Sequence, residues 1–211
     1  GEDLFQLLWC PHDHESAGGA PLSMVKWRSA ADLHALAPNP APAPTSESRY
    51  LCEPCNVAPE RVVEYPPGAE LDLDQLEAIA EWLNAHAAED LQALGLEPDD
   101  PEDPANYEHH FSVAQGTKVG GHVKWIQSAS RPECTCGRPM DHLVTVASAE
   151  WDGAWERWLP MDERHVRELS RDQQRALQCA ADLMLGDMGN YHVFICRACP
   201  SWPTWPVFQC S

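Results

Sequence analysis

Two pairs of cysteines carry the plainest chemistry in this chain. Cys134 and Cys136 stand one residue apart and are followed by Gly137 and Pro139; Cys196 and Cys199 stand two residues apart, well downstream. Short-spaced thiolates beside turn residues are the usual mark of a tetrahedral zinc site. Two ligands from one turn and two from another satisfy that geometry with little chain left to fix. The single-residue gap is tighter than the two-residue gap of a rubredoxin-like knuckle. It leaves open a set in which His142 or His192 replaces one member of the first pair. The competing reading is ordinary buried thiols, because free cysteine is itself a favoured core residue.

A second group lies near the amino terminus: Cys10, His12, His14, Cys52 and Cys55. Cys52-Glu-Pro-Cys55 has the commoner two-residue gap. Cys10 with either His12 or His14 would complete a Cys3His set, a structural type. Such a site would clamp the proline-rich stretch between Cys10 and Cys52 and couple metal binding to folding. A C-x-x-C pair can instead be redox active; Pro54 inside it, and the absence of a helical pattern after it, weigh against that use.

Catalytic zinc needs three protein ligands, an open position for water and a nearby carboxylate. Asp13, Glu53, Glu133 and Asp141 are close enough in sequence to be candidates for that role. No His-Glu-x-x-His and no His-x-Glu with a following Pro-Cys-x-x-Cys is present. The Gly116-Thr-Lys-Val-Gly-Gly121 stretch lacks the Gly-Lys-Ser/Thr ending of a phosphate loop, and a turn that lets strands approach closely is its better use. His109 and His110 are adjacent, so on a strand they would face opposite ways. Trp151, Trp155 and Trp158 read either as an aromatic peptide-binding surface or, more simply, as core residues of a β-rich domain.

The elements that must position these groups follow from patterning. The 211 residues hold 44% apolar side chains, enough for a packed core without staples. Leu4–Trp9 and Met24–Arg28 read as strands, and 32–36 as a short helical turn. Pro38 to Ser48 is a polyproline-like connector. Arg61–Tyr65 reads as another strand. Leu76, Ile79, Leu83, Ala87, Leu91 and Leu94 recur at helical steps, predicting an amphipathic helix over about 73–94. Asp72 or Asp74 can cap its start, Glu77 sits three after Asp74 as in a capping box, and Gly95 can end it. Residues 97–104 form an acidic, proline-broken linker. Strands are expected at His109–Val113, His122–Gln127, Leu143–Ser148, Tyr191–Cys196 and Trp205–Gln209, with a weaker helix over Glu163–Asp182 that Ser170 and Asp172 could restart. Gly186–Asn190 is a turn. The expected fold is α+β and mainly β: antiparallel sheets, one long amphipathic helix and one weaker helix, stabilised by zinc. Its parts would be an amino-terminal zinc-binding lobe over 1–66, the helix and acidic linker over 67–104, and a β-rich zinc-binding lobe over 105–211.

Charge narrows the partners. Fourteen Lys and Arg stand against 33 Asp and Glu, a net charge of −19. That balance disfavours nucleic acid and anionic membranes, which need clustered cations. It permits a basic protein partner steered by long-range attraction, although plain solubility in a highly acidic proteome is the simpler account. Nine cysteines is an odd number, and most are grouped with other metal-ligating residues, which fits thiolate ligands in a reducing, cytoplasmic setting better than a disulfide framework. No apolar run reaches the ~20 residues that span a bilayer, and the first residues lack a basic-then-apolar signal.

Several motifs in order resemble a known group. Lys118-Val-Gly-Gly-His-Val-Lys-Trp125, Cys134-Thr-Cys-Gly-Arg-Pro-Met140, Leu143 through Ser148, Gly186-Asp-Met-Gly189 and Phe194-Ile-Cys-Arg-Ala-Cys199 together resemble the YwqG-like bacterial proteins of unknown function. Tyr65 and its Val-Val-Glu and Pro-Pro flanks extend the likeness. The Lys-Val-Gly-Gly, Cys-Gly-Arg-Pro and Cys-Arg elements are also similar to the eukaryotic programmed cell death protein 2 family. The resemblance covers roughly residues 107–211. It implies a cytosolic zinc protein, since that eukaryotic family contains zinc and serves as a dedicated chaperone for a small-subunit ribosomal protein. Cys134 and Cys136 depart from the two-residue gap of those relatives. The function expected is a non-enzymatic, zinc-binding interaction module, a chaperone-like or toxin-neutralising adaptor for a basic protein. A zinc-dependent hydrolase and a thiol redox sensor using Cys52 and Cys55 are the alternatives.

Overall fold

A computed structural model describes residues 4–17, 19–32, 50–93, 107–108, 111–151, 158–159 and 161–210. The fold is α+β, with a two-stranded and a four-stranded antiparallel sheet. Strands β1 (Leu4–Trp9) and β2 (Ser23–Arg28) form the hairpin. Their alternation sets Phe5 opposite Trp27 and Leu7 opposite Val25 on one face. That face packs on the larger sheet, whose strands β3 (Lys118–Val119), β4 (Asp141–Ala147), β5 (Asn190–Ile195) and β6 (Thr204–Gln209) lie in that order.

The main core forms where the two sheets meet. Leu143, Val144, Tyr191, Val193 and Ile195 pack with Phe5, Leu7, Trp9, Val25 and Trp27. Tyr50 joins this core, its carbonyl accepting from Trp9 Nε1 at 3.1 Å, and Tyr191 Oη donates to Pro21 O at 3.0 Å. The opposite face of the larger sheet is covered as well, by a cluster of Val123, Cys134, Met140, Phe194 and Cys196. With both faces covered, β5 is buried along nearly its whole length, which is why it reads Tyr-His-Val-Phe-Ile without polar-apolar alternation. Each large side chain buried here contributes about 1.5–3 kcal/mol.

One irregularity in β4 decides which side chains share a face. The register passes from His142↔Phe194 to Val144↔Val193, so β4 carries an extra residue against β5. A bulge of this kind resets the two-residue alternation. His142 and Thr145, three apart, therefore share the face that also carries His192, Phe194 and Cys196.

Helix α1 spans Leu73–Ala93 and α2 spans Arg171–Gln178. The capping box of α1 uses Asp72 and Gln75 rather than Asp74 and Glu77: Gln75 N donates to Asp72 Oδ1 at 2.8 Å, and Asp72 N to Gln75 Oε1 at 3.0 Å. The helix expected over 163–182 is two elements, a 3-10 segment at Met161–Glu168 and then α2, which restarts on a capping box of Ser170 and Gln173. Trp151 lies in a small core with Leu159, Val166 and Leu169.

Three expected strands are absent among the described residues. Arg61–Tyr65 and His122–Gln127 have no strand pairing among the described residues, the latter ending in a bend at Ile126–Gln127, and Phe111–Val113 follows a turn closed by Phe111 N and Ser112 N on Tyr107 O. Tyr65 N makes a single backbone bond, to Ser112 O at 2.8 Å, and several nearby amides bond side chains instead of a ladder. Ala114 N and His122 N donate to Glu64, while Ile126 N and Gln127 N donate to Gln209 Oε1. The connector at 38–48, the linker at 97–104, Gly95, His109, His110, Trp155 and the turn beyond Asp32 lie outside the described residues. No helix among the described residues is long and apolar enough to cross a membrane.

Candidate metal centre

The first cysteine pair is set by a tight turn before β4. Glu133 and Pro139 form an isolated antiparallel bridge, Cys134 N donates to Arg138 O at 2.8 Å, and Gly137 N donates back to Cys134 O at 2.8 Å. Gly137 takes φ +80°, a left-handed conformation that glycine adopts without steric cost, and so turns the chain directly after Cys136. The second pair leaves the end of β5. Cys196 N donates to Pro203 O at 3.0 Å and Trp202 N to Cys199 O at 3.0 Å, closing a turn that leads into β6.

Strand register brings the two turns together. Asp141, at the start of β4, pairs with Ile195, at the end of β5. Both turns therefore project from the same end of the sheet. Cys134 Sγ lies 3.8 Å from Cys199 Sγ and Cys136 Sγ 3.7 Å from Cys196 Sγ, and all four sulfurs lie within 4.8 Å of one another. Four sulfurs bound at ~2.3 Å to one zinc stand about 3.8 Å apart. These separations match that tetrahedron and are far beyond the ~2.05 Å of a disulfide. All nine cysteines are free.

The Cys136 amide and the neighbouring sulfurs hold the Cys134 thiol below its usual range, while the hydrogen-bonded sulfurs around it push Cys199 up. Four thiols this close cannot all ionise unless a positive charge is shared among them. Cys134 and Cys196 are buried, Cys199 half-buried and Cys136 exposed. The single-residue gap thus loses no ligand. His142 and His192 do not substitute for either cysteine: His142 Nδ1 lies 3.0 Å from Gly120 O, and its Nε2 2.8 Å from Thr145 Oγ1. Four protein sulfurs this close could together hold a metal ion in tetrahedral coordination.

The amino-terminal candidates are placed differently. Cys10 continues the β1–β2 hairpin, with its N donating to Leu22 O at 2.8 Å, and His14 bridges Ala20. Cys52 and Cys55 lie exposed in an extended segment, tied through Glu53 N to Ala181 O at 2.7 Å. Burial, and then the nearby Cys55, raise the Cys52 thiol. That is the opposite of an activated thiolate. Among the described residues the four carboxy-terminal cysteines are the one group of three or more ligand atoms drawn together, so Cys10, His12, His14, Cys52 and Cys55 do not form a second.

The sequence pattern did not point to a row of buried polar side chains on the sheet face that carries Phe194 and Cys196. Lys118 pairs across the strands with Thr145, and Thr145 with His192. Lys118 Nζ meets Glu64 Oε2 at 2.8 Å, with both side chains largely buried. His142 and His192 flank Thr145 Oγ1 at 2.8 and 2.9 Å. Burial, then the Lys118 charge, holds His142 down to about 4; burial, then His142 and Lys118, holds His192 down to about 3. The only advance signal was residue type, since Lys, Glu and His seldom share a core. The pairing itself depends on long-range register and on the bulge. Comparison of the chain with family models, with curated proteins and with solved structures returned no match.

Proposed function

We propose that this chain is a zinc-binding protein-interaction module in which Cys134, Cys136, Cys196 and Cys199 hold a structural zinc ion. The observation that carries the reading is the set of four sulfurs with edges of 3.7 and 3.8 Å. An all-thiolate tetrahedron favours zinc over the hard cations, which prefer oxygen ligands. The ion would tie the turn before β4 to the turn after β5.

The partner proposed is a basic protein, bound in a chaperone-like or toxin-neutralising role. Support comes from the net charge of −19 and from α1, whose exposed Asp74, Glu77 and Glu81 recur at helical spacing in a helix without Lys or Arg. The resemblance to the YwqG-like proteins and to the programmed cell death protein 2 family points the same way. Two measurements test the proposal. Metal analysis of protein purified without added zinc should return close to one zinc per chain. Affinity capture at low ionic strength should recover a basic protein that raised salt releases; recovery of only acidic or neutral partners, or of none, would remove the adaptor role.

A further inference from the structure

The row of buried polar side chains on the sheet face that carries Phe194 and Cys196 has a direction and one open end. Gly120 O can only accept a hydrogen bond, so His142 Nδ1, 3.0 Å away, must carry the proton. Neutral His142 then has its lone pair on Nε2, and the Thr145 hydroxyl, 2.8 Å away, donates to it. With its hydrogen committed, Thr145 Oγ1 accepts from His192 Nδ1 at 2.9 Å. His192 is therefore also protonated at Nδ1, which leaves a bare lone pair on Nε2. His192 is completely buried, and this atom has no hydrogen-bond partner among the described residues. A sealed acceptor of this kind calls for a donor.

We propose that His192 Nε2 is a binding site for one neutral hydrogen-bond donor the size of water, enclosed between β5 and the segment 123–127. The surroundings select that chemistry. An acceptor or an anion gains nothing, because Nε2 has no proton to give. A metal ion would find a single ligand, since the other three imidazole nitrogens of the pair are engaged, and Lys118 stands in the same row. A purely apolar filler would leave the lone pair unpaired. The cover over this face comes from the same segment: Val123 is completely buried, and Ile126 N and Gln127 N are fixed on Gln209 Oε1 at 3.0 and 3.1 Å. One wall is the Trp125 ring, centred 5.8 Å from that of His192 and stacked on Phe194.

With the site filled, a single one-way chain runs from the bound donor through His192, Thr145 and His142 to the Gly120 turn. It joins the cover, two strands and the glycine turn, and its members polarise one another.

Long-range 1H–15N correlation spectra of the full chain at neutral pH test the idea, with His192 assigned through a His192→Phe variant. Both His142 and His192 should be Nδ1–H tautomers, the opposite of the Nε2–H form that free neutral histidine favours. A long-lived water signal should contact the His192 ring protons, and a high-resolution crystal structure should show a single oxygen at hydrogen-bond distance from Nε2. A proton on His192 Nε2, a dry cavity, density larger than one oxygen, or cobalt(II)-induced paramagnetic shifts at His192 as large as those of a directly bound ligand would each overturn the proposal. Should His192→Phe fail to fold, the tautomers can be assigned with His142→Gln instead, and the crystal density decides independently.

Discussion

Cys134, Cys136, Cys196 and Cys199 leave turns that end in neighbouring strands, whereas Cys52 and Cys55 lie in an extended segment with no ladder partner. Both regions hold four or five metal-ligating side chains at plausible spacing. They differ in what carries the side chains. The pairing of Asp141 with Ile195 sets the two carboxy-terminal turns side by side before any metal binds. No strand register carries Cys52 and Cys55 to Cys10: Tyr50 bonds Trp9 and Pro11 beside Cys10, but the segment then runs to Ala181, through Glu53 N, and further on to the partners of Glu64. Cysteine spacing supplies ligands, and strand register turns them into a site.

The sharpest way to break this comparison is to remove ligands from each region in turn. Cys196→Ser, or chelation of the intact protein, should abolish bound metal and cause the largest loss of stability. In zinc-finger peptides a structural zinc contributes roughly 10–16 kcal/mol of coupled folding energy. Cys52→Ser and Cys55→Ser should leave the zinc content and the melting temperature nearly unchanged. Metal analysis and thermal melts read both. A loss of zinc from the Cys52 or Cys55 variant would reverse the assignment.

The next effect asks what holds the amino-terminal segment down if metal does not. Glu64 accepts from Lys118 Nζ, Ala114 N and His122 N, and a Cβ on Gly121 would collide with Glu64 Oε1. Gly121 also has φ +72°. Glu64→Ala strands a buried ammonium and two amides, and should cost about 3–5 kcal/mol by chemical denaturation. Lys118→Met in the Glu64→Ala background should recover part of it. A loss below about 1 kcal/mol, the range of an exposed ion pair, would mean that the segment is held by something else.

These anchors explain how much could be read from the chain. Strands β1, β2, β4, β5 and β6 and helix α1 were legible because their signals are local: short apolar or β-branched and aromatic runs bounded by turn residues for the strands, and a three- and four-residue apolar recurrence for the helix. The four cysteines were legible because turns carry their own residue signature in Gly137 and Pro139. His122–Gln127 and Arg61–Tyr65 have strand composition, yet Glu64 and Gln209, distant in sequence, take amides that a ladder would have used. The histidine row was invisible for a related reason. His142 and Thr145 stand three apart, which in a regular strand places them on opposite faces, and only the bulge beside Leu143 brings them together. The amino-terminal ligand set had spacing in its favour, yet although Tyr50 returns the chain to Trp9 and Pro11, no three of its ligand atoms are drawn together among the described residues.

A pH titration separates the histidine row from the cysteines. The unfolded chain protonates His142 and His192 near 6.5, while the folded protein resists until about 4 and about 3. Between those values the unfolded state binds protons that the native state refuses, so stability falls as pH drops below 6.5 and is regained on raising it. At about pH 5.5 each imidazole should cost about 1.4 kcal/mol, the equivalent of one pKa unit. His192→Phe should flatten this slope while zinc content holds. A slope unchanged in that variant would place the titrating groups elsewhere.

The smallest expected effect probes the backbone tie closest to Cys52, between Glu53 N and Ala181 O. Helix α2 starts where Ser170 Oγ accepts from Gln173 N at 3.4 Å and Gln173 Oε1 accepts from Ser170 N at 3.1 Å. It ends in the turn around Cys179 to Asp182, and Ala181 O in that turn holds Glu53 N. Ser170→Ala removes the cap and should cost about 1 kcal/mol, as loss of such caps does elsewhere. Because α2 touches no ligand of the carboxy-terminal cluster, zinc content should not move. Hydrogen exchange at Glu53 N should quicken only if the loss of the cap loosens the whole two-turn helix, because its acceptor, Ala181 O, lies just beyond the opposite end. Protection at Glu53 that survives the loss of the cap would show the segment to be anchored independently of α2, and would leave Glu64 as its principal tether.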